Sequence, residues 1–338
     1  MKRNLIAVFL FFSFVACDPA STKKNYPLHL SDVIMGTSYT IKVTSLPGSI
    51  KKDELISQIK RRLETLDQTM STYRQDSELS QFNRSQSLQW QNVSKSLLAV
   101  LKEANRINEL TLGAFDITVG PIVNLWGFGP DPMLHKAPGS EVIEAALKKT
   151  GSEYLLLDEV GQKIKKTLPG LYLDLSAIAK GYAVDVVGEL LEQQGVLDYM
   201  VEIGGELRLK GTNANNKPWR IAIEKPTSEA RVIQKVLPLS DISLATSGDY
   251  RNYFEVGNVR FSHTIDPRTG KPISHKLASI TILSHTTMEA DAIATALMVL
   301  GPVKGYELAQ EKDIAALFII KINDGFVEKA SSAFLEKF

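Results

Sequence analysis

The stretch "EADAIATALMVLG", Glu289 to Gly301, constrains the fold more than any other part of this 338-residue chain. It is apolar on every turn, and a helix without a polar face has to be enclosed by other elements. Thr286 and Glu289 have the T-x-x-E spacing of a capping box, which fixes where the helix starts. Asp291 and Thr295 then interrupt the apolar run, four residues apart and therefore on one face. The rest of that face is alanine, which lets a ligand or another chain segment come close. A bare carboxylate is costly to bury, so Asp291 must be paired, hydrated or bound to a cation. An acid with a hydroxyl suits a hard cation such as Mg²⁺, which takes oxygen ligands and keeps waters or phosphate oxygens as the rest of its shell. Equally, Asp291 could cap a neighbouring loop while Thr295 bonds back to its own helix, and this stretch does not choose between the two.

Periodicity indicates the layers around that helix. Thr37 to Ser45 alternates and is rich in β-branched residues, with Pro47-Gly48 ending it. Helices are predicted over Asp53–Met70, where Leu55, Ile56, Ile59, Leu63 and Leu66 keep helical spacing, and over Ser94–Leu112, closed by Gly113. Gly113 to Gly129 mixes β-formers, glycines and aromatics, and Pro130 to Ser140 is a Pro/Gly-rich loop of the kind that often carries function. A helix over Val142–Thr150 and strands near Tyr154–Leu157 and Leu171–Leu173 follow. The last of these leads into a helix in "DLSAIAKGYAVDVVGELLEQQG", stopped at Gly195. Tyr199 to Phe261 is strand-like, and the remainder reads strand ("LASITILS"), helix (Glu289–Leu300), helix (Pro302–Gln310), strand ("AALFIIKI"). Strand runs interspersed with helices predict an α+β fold with mixed or antiparallel sheets and packed helices.

Charge narrows the partners. The 39 basic and 38 acidic residues are well mixed and leave a formal charge of +1, with no basic stripe for a phosphate backbone, so nucleic acid is not an expected partner. Lys2 and Arg3 precede an apolar run, Leu5 to Ala16, of about a dozen residues, short of the roughly 20 that span a bilayer. This is the pattern of an export signal. It ends at Val15-Ala16-Cys17, placing the chain's only cysteine just after a small residue at the cleavage point, an arrangement that resembles a bacterial lipobox. The alternative is an ordinary signal peptide with a chance cysteine, but no second thiol exists to pair with it. The expected organisation is a lipoprotein signal peptide at 1–16, a lipidated tether at 17–27 beginning at Cys17, and a single folded domain at 28–338. That tether is small, polar and Pro-flanked, as a flexible linker should be.

Two further clusters carry possible chemistry. In "DLSAIAKGYAVD", Asp174 and Ser176 open a helix whose free backbone N–H groups could hold an anion, Lys180 adds positive charge one turn in, and Gly181 permits close approach. The same residues read as ordinary N-caps and a solvated lysine. In "SGDYRNYFEVGNVRFSHTIDPRTGKP", Ser247–Tyr250 is predicted as a turn and Tyr253–Arg260 as a hairpin. His263 could accept a proton near neutral pH, with Arg251 and Arg260 nearby in sequence.

Seven segments, "MGTSYTIKV", "GAFDITVGP", "DLSAIAKGYAVD", "EIGGELRLKG", "SGDYRNYF", "SHTIDPRTGKP" and "EADAIATAL", occur in the order found in the ApbE family of FAD:protein FMN transferases, which the chain resembles from about Met35 onward. The resemblance implies a T-fold-like body with FAD in a cleft between its halves. It also implies Mg²⁺-dependent transfer of the FMN moiety of FAD to a Thr or Ser hydroxyl of an exported or membrane redox protein, releasing AMP. Asp291 and Thr295 would ligate Mg²⁺ together with the main-chain carbonyl of Ala177. His263 would accept the hydroxyl proton, with Asp291 as the alternative. FAD contacts would fall on Met35, Tyr73, Ala114, Phe115, Asp116, Asp174, Lys180 and Ile265; for Met35, Tyr73 and Phe115 the competing reading is plain core packing. By the same resemblance the acceptor would be a subunit of the Nqr or Rnf type, modified in a D-x-x-S/T-G-A/S-T-like segment. The protein would sit at the periplasmic face of the inner membrane, anchored through Cys17. A Mg²⁺-dependent FAD pyrophosphatase and a non-catalytic flavin-binding lipoprotein are the competing functions.

Overall fold

The architecture follows from a sheet that is apolar on both faces. In the computed structural model the described residues are 26–130, 137–227, 232–249, 253–256 and 259–338, the side chains of 256, 259 and 260 excepted. The signal segment, Cys17, most of the tether, much of the Pro/Gly-rich loop, Tyr250 and Arg251 lie outside them, as does the Arg260 side chain.

The chain opens with a hairpin of β1 (Leu28–Ile34) and β2 (Thr37–Val43), then α1 (Lys52–Met70), α2 (Glu78–Arg84), the short β3 (Gln91–Asn92) and α3 (Lys95–Leu110). The mixed stretch after Gly113 forms a 3-10 turn at Ile117–Val119 and α4 (Gly120–Leu125), followed by α5 (Ser140–Leu147) and the strands β4 (Leu155–Asp158) and β5 (Lys163–Lys166). Next come α6 (Ala179–Gln193), β6 (Tyr199–Ile203), β7 (Glu206–Lys210), β8 (Trp219–Glu224), β9 (Ile233–Leu239) and β10 (Ile242–Gly248). Two small hairpins, β11 (Tyr253–Val256) with β12 (Val259–Ser262) and β13 (Ile265–Asp266) with β14 (Lys271–Pro272), precede β15 (Leu277–Ser284). The chain ends with α7 (Thr287–Glu311), β16 (Ala315–Ile322), β17 (Gly325–Ala330) and α8 (Ser332–Leu335).

Eight strands form the main sheet in the order β1-β2-β6-β7-β10-β15-β16-β17, with every pairing antiparallel. Alternation along β16 divides the interior: Ala316 and Phe318 face the helices α1, α3, α6 and α7, whereas Leu317 and Ile319 face the β8–β9 ribbon and α8. A third, smaller core gathers Ile122, Trp126, Ile143, Phe254 and Ile265, and Trp126 Nε1 donates to the Gly270 carbonyl at 2.8 Å. The α+β expectation is met, and the apolar helix of the sequence is indeed enclosed. Among the described residues α7 is the one helix long and apolar enough to cross a membrane, yet 61% of its apolar window is buried inside the protein.

The two C-terminal helices form as expected, the two halves of α7 meeting at the non-helical Gly301 (φ 77°, ψ −174°), where Pro302 follows and where a Cβ would lie 2.7 Å from the His275 ring. Three other local expectations change. Leu171–Leu173 is extended but belongs to no sheet, because Asn83 replaces a partner strand: Leu173 N–H donates to Asn83 Oδ1 (2.8 Å) and Asn83 Nδ2 donates to the Leu173 carbonyl (2.9 Å). Ser247 and Gly248 continue β10 instead of opening a turn, since β15 pairs with them. The capping box is half formed: the Thr286 hydroxyl accepts from Glu289 N–H, but the Glu289 carboxylate turns away to Arg106 (2.6 Å) and the Ser284 hydroxyl. A more distant acid completes the cap, as Asp185 of α6 accepts from both Thr287 and Met288 N–H at 2.9 Å.

Candidate active site

A cavity of about 360 Å³ opens where α6, α7 and β10 meet the small aromatic core. Tyr73, Ala114, Phe115, Asp116, Asp174, Ala177, Lys180, His263, Ile265, Asp291 and Thr295 all line it, so residues far apart in sequence converge as expected. Met35 is not among the lining residues: it forms the β1–β2 turn in the left-handed region (φ 49°) and packs partly buried against the main core.

The centre of the cavity is set by how closely α6 and α7 approach. A Cβ on Gly181 would stand 2.4 Å from the Thr287 carbonyl oxygen and 2.8 Å from Met288 Cα, so glycine is what allows this contact. At that distance Gly181 N–H donates to Asp291 Oδ2 (3.0 Å) and not to the carbonyl one turn back. No backbone N–H of a described residue then donates to the Ala177 carbonyl. Lys180 Nζ lies 3.7 Å from Asp291 Oδ2 and 3.6 Å from Glu206 Oε1, and donates to the Ser176 carbonyl at 3.2 Å. Burial disfavours the lysine charge, but Asp291 and Glu206 outweigh it and hold the ammonium above its ordinary pKa. Burial raises both carboxyls, Glu206 to about 8 with Asp291 adding to the rise, while Lys180 opposes it in each case. Ser247 Oγ of β10 stands 3.4 Å from Thr295 Oγ1.

Two matching turns build the wall beside this centre. Asp116 Oδ1 accepts from Thr118 N–H (2.8 Å) and hydroxyl (2.7 Å), and Asp174 Oδ1 accepts from Ser176 N–H (2.8 Å) and hydroxyl. Asp174 N–H donates to the Ile117 carbonyl at 2.7 Å and locks the turns side by side. Both acids thus cap their turns and present their carboxyls to the same space; burial pushes that of Asp116 up against these hydrogen bonds. The opposite wall is aromatic, with Phe128 edge-on to His263 at 6.3 Å. Phe115 is a core residue with one edge on the cavity, whereas Tyr73 is 69% exposed at the rim, so core packing does not account for it.

Glu206, Thr246, Ser247, Gly248 and Phe128 also line the cavity, and none of them is a site residue predicted from the sequence. Glu206 carried a signal: an acid directly after Gly204-Gly205, at the head of an apolar strand, in a segment already noticed as a motif. Ser247 carried none, because its role depends on strand pairing.

The donor set fits a hard cation. The Ala177 carbonyl lacks a backbone donor, Asp291 Oδ1 accepts no hydrogen bond among the described residues, and Glu206 Oε2 is buried without a partner. Among those residues no three His, Cys, Asp or Glu side chains are close enough together to hold a metal ion by themselves. A cation would therefore keep water or phosphate oxygens in its shell, as Mg²⁺ does.

Comparison with known proteins identifies the family and the fold. The sequence pattern of the ApbE family matches residues 35–318. The FAD:protein FMN transferase of Vibrio cholerae serotype O1 is 47% identical over 334 residues, 99% of this chain and 98% of that protein. The Escherichia coli K12 protein of the same name is 42% identical over 328 residues, covering 95% and 93%. Among solved structures, the Vibrio cholerae flavin transferase ApbE superposes with a TM-score of 0.85 at 49% identity, covering 91% of this chain and 98% of that one. The apo flavinyl transferase ApbE of Pseudomonas stutzeri gives 0.84 at 40% identity, covering 91% and 96%.

Proposed function

This chain belongs to the ApbE family, and on that premise we propose that it is an FAD:protein FMN transferase which moves the FMN moiety of FAD onto a Thr or Ser hydroxyl of an exported or membrane redox protein, with Mg²⁺, and releases AMP. The observation that carries this reading is the convergence of Asp291, Thr295 and the unpaired Ala177 carbonyl in a cavity also lined by Tyr73, Phe115, Asp116 and Asp174. In the transfer, the hydroxyl oxygen bonds to the flavin-side phosphorus, the bond from that phosphorus to the bridging oxygen breaks, and AMP leaves with the bridging oxygen. Mg²⁺ held by Asp291, Thr295 and Ala177 would neutralise the pyrophosphate and stabilise the leaving phosphate. His263, on the aromatic side of the same cavity, accepts the hydroxyl proton.

The remaining residues bind and orient FAD. The exposed Tyr73 ring and the Phe115 edge suit a flat heterocycle, and the capped carboxyls of Asp116 and Asp174 suit ring N–H or ribose hydroxyl groups. Lys180 holds Asp291 and Glu206 together. Ile265 closes the floor from the small aromatic core. Residues 28–338 form the catalytic domain. We propose further that Cys17 anchors it by lipid at the periplasmic face of the inner membrane, in reach of acceptors of the Nqr or Rnf type.

The test is an intact-mass measurement on an acceptor domain incubated with the soluble body, FAD and Mg²⁺. A mass gain equal to FMN less water, abolished by chelation and by Asp291→Ala while FAD binding stays measurable, is expected. AMP and free FMN without labelling would make it a pyrophosphatase, and intact bound FAD would make it a carrier.

A further inference from the structure

β10 is paired unequally along its two sides. β15 follows it from Ser243 to Gly248, but β7 pairs only with Ile242, Ser243 and Leu244, because β7 begins at Glu206 after the Gly204-Gly205 turn. Among the described residues no strand covers the side of Thr246–Gly248 that faces away from β15. This notch in the middle of the sheet opens into a groove of about 400 Å³ between the Gly204-Gly205 turn and β8, and Thr246 and Gly248 line both that groove and the cavity of the active site.

The character of this edge differs from that of the sheet's ends. Asp32 lies on β1 and Glu328 and Lys329 lie on β17, charges that discourage a foreign strand. Thr246, Ser247 and Gly248 carry no charge, no proline and no bulge, and they are only half-buried. The groove's outer wall is also open: Ala222 of β8 is exposed, and a Cβ on Gly205 would touch nothing within 4 Å. An edge of this kind is a template for an added strand, bound through its main chain about 4.8 Å away.

We propose that the acceptor polypeptide docks in extended form along Thr246–Gly248, as an added strand in this groove, and so delivers its hydroxyl to the active site. The inference rests on the transferase reading, since a transferase needs a path by which a protein hydroxyl reaches the cavity. The edge leads to the right place, because Ser247 Oγ is 3.4 Å from Thr295 Oγ1.

The test uses a peptide of about ten residues, strand length, that the wild-type protein labels with FMN, methylated at one backbone amide at a time. An added strand donates from every second amide, so labelling should fall roughly three- to tenfold per methyl at alternate positions near the hydroxyl and hold at those between. Ala222→Trp, which fills the groove from β8, should raise the acceptor KM while leaving FAD affinity and melting temperature at wild-type values. Sensitivity without a two-residue period, or an unchanged acceptor KM in Ala222→Trp, would overturn the docking mode. Failure of the wild type to label any protein hydroxyl would instead overturn the transferase reading beneath it.

Discussion

Lys180 is the only cation between Asp291 and Glu206 among the described residues, so two buried carboxyl groups depend on one ammonium for whatever charge they carry. Lys180→Met removes that compensation and should cost about 3 kcal/mol in metal-free protein above pH 8, where Glu206 is ionised. Mg²⁺ should restore part of this, because a cation bound only by the folded state stabilises it. The check is thermal denaturation with and without Mg²⁺; a variant whose melting temperature rises with Mg²⁺ no more than the wild type would remove Lys180 from this role. His263→Ala should lower kcat for FMN transfer by about 10²- to 10⁴-fold, the usual range for a general base, with FAD affinity nearly kept. A loss confined to FAD affinity would make His263 a binding residue. Much of this site could be read from the sequence because its residues lie in compact segments: the four-residue spacing of Asp291 and Thr295 already put them on one face. The liberation of the Ala177 carbonyl could not, since it depends on Gly181 N–H turning to an acid 110 positions away.

At the scale of elements, the active site is a by-product of helix packing. Asp185 on α6 caps α7, and Gly181 on α6 sets the distance at which α7 brings Asp291 and Thr295 to the cavity. Gly181→Ala forces a methyl into backbone atoms of α7 and should destabilise the fold by about 1–3 kcal/mol, as overpacking does. Mg²⁺-dependent turnover should fall far more than this loss explains, because the helix carrying the ligands moves. Denaturant titration paired with turnover at saturating Mg²⁺ would check it; full activity in a folded variant would mean that the contact only packs. Such contacts mark where sequence reading ends. The long helices follow from their apolar stripes, with Leu55, Ile59, Leu63 and Leu66 buried along α1 as spaced. Leu171–Leu173 has strand composition, but its hydrogen bonds go to Asn83, and α4 forms in a stretch whose β-formers are turned inward by the Trp126 core. No periodicity encodes either, because in both cases the deciding partner is distant in the chain.

For the molecule as a whole, α6 is fastened to the sheet by charge as well as by its apolar face. Glu192 meets Lys210 (2.8 Å), Arg208 (2.9 Å) and the Tyr199 hydroxyl (2.6 Å), and Arg208 reaches on to Asp185 at 3.2 Å, beneath the start of α7. Partial burial pushes the Glu192 carboxyl upward, but hydrogen bonds from Lys210 and Tyr199 and the charge of Arg208 bring it down to about 2, from an ordinary 4.5. A carboxyl with a lowered pKa binds its proton more weakly in the folded state, so its stabilising effect is complete above pH 4.5 and is lost as the pH falls towards 2. Asp116 and Asp185 act in the opposite sense, since burial raises both, and their unfavourable charge is relieved on protonation. The acid limb of the wild type therefore mixes the two signs, and the contribution of Glu192 emerges as a difference. Glu192→Gln should be less stable than the wild type at neutral pH, and the gap should close between pH 4.5 and 2. Urea titrations across that range would measure it. A gap independent of pH would mean that Glu192 holds α6 by shape and hydrogen bonding, with its charge contributing nothing.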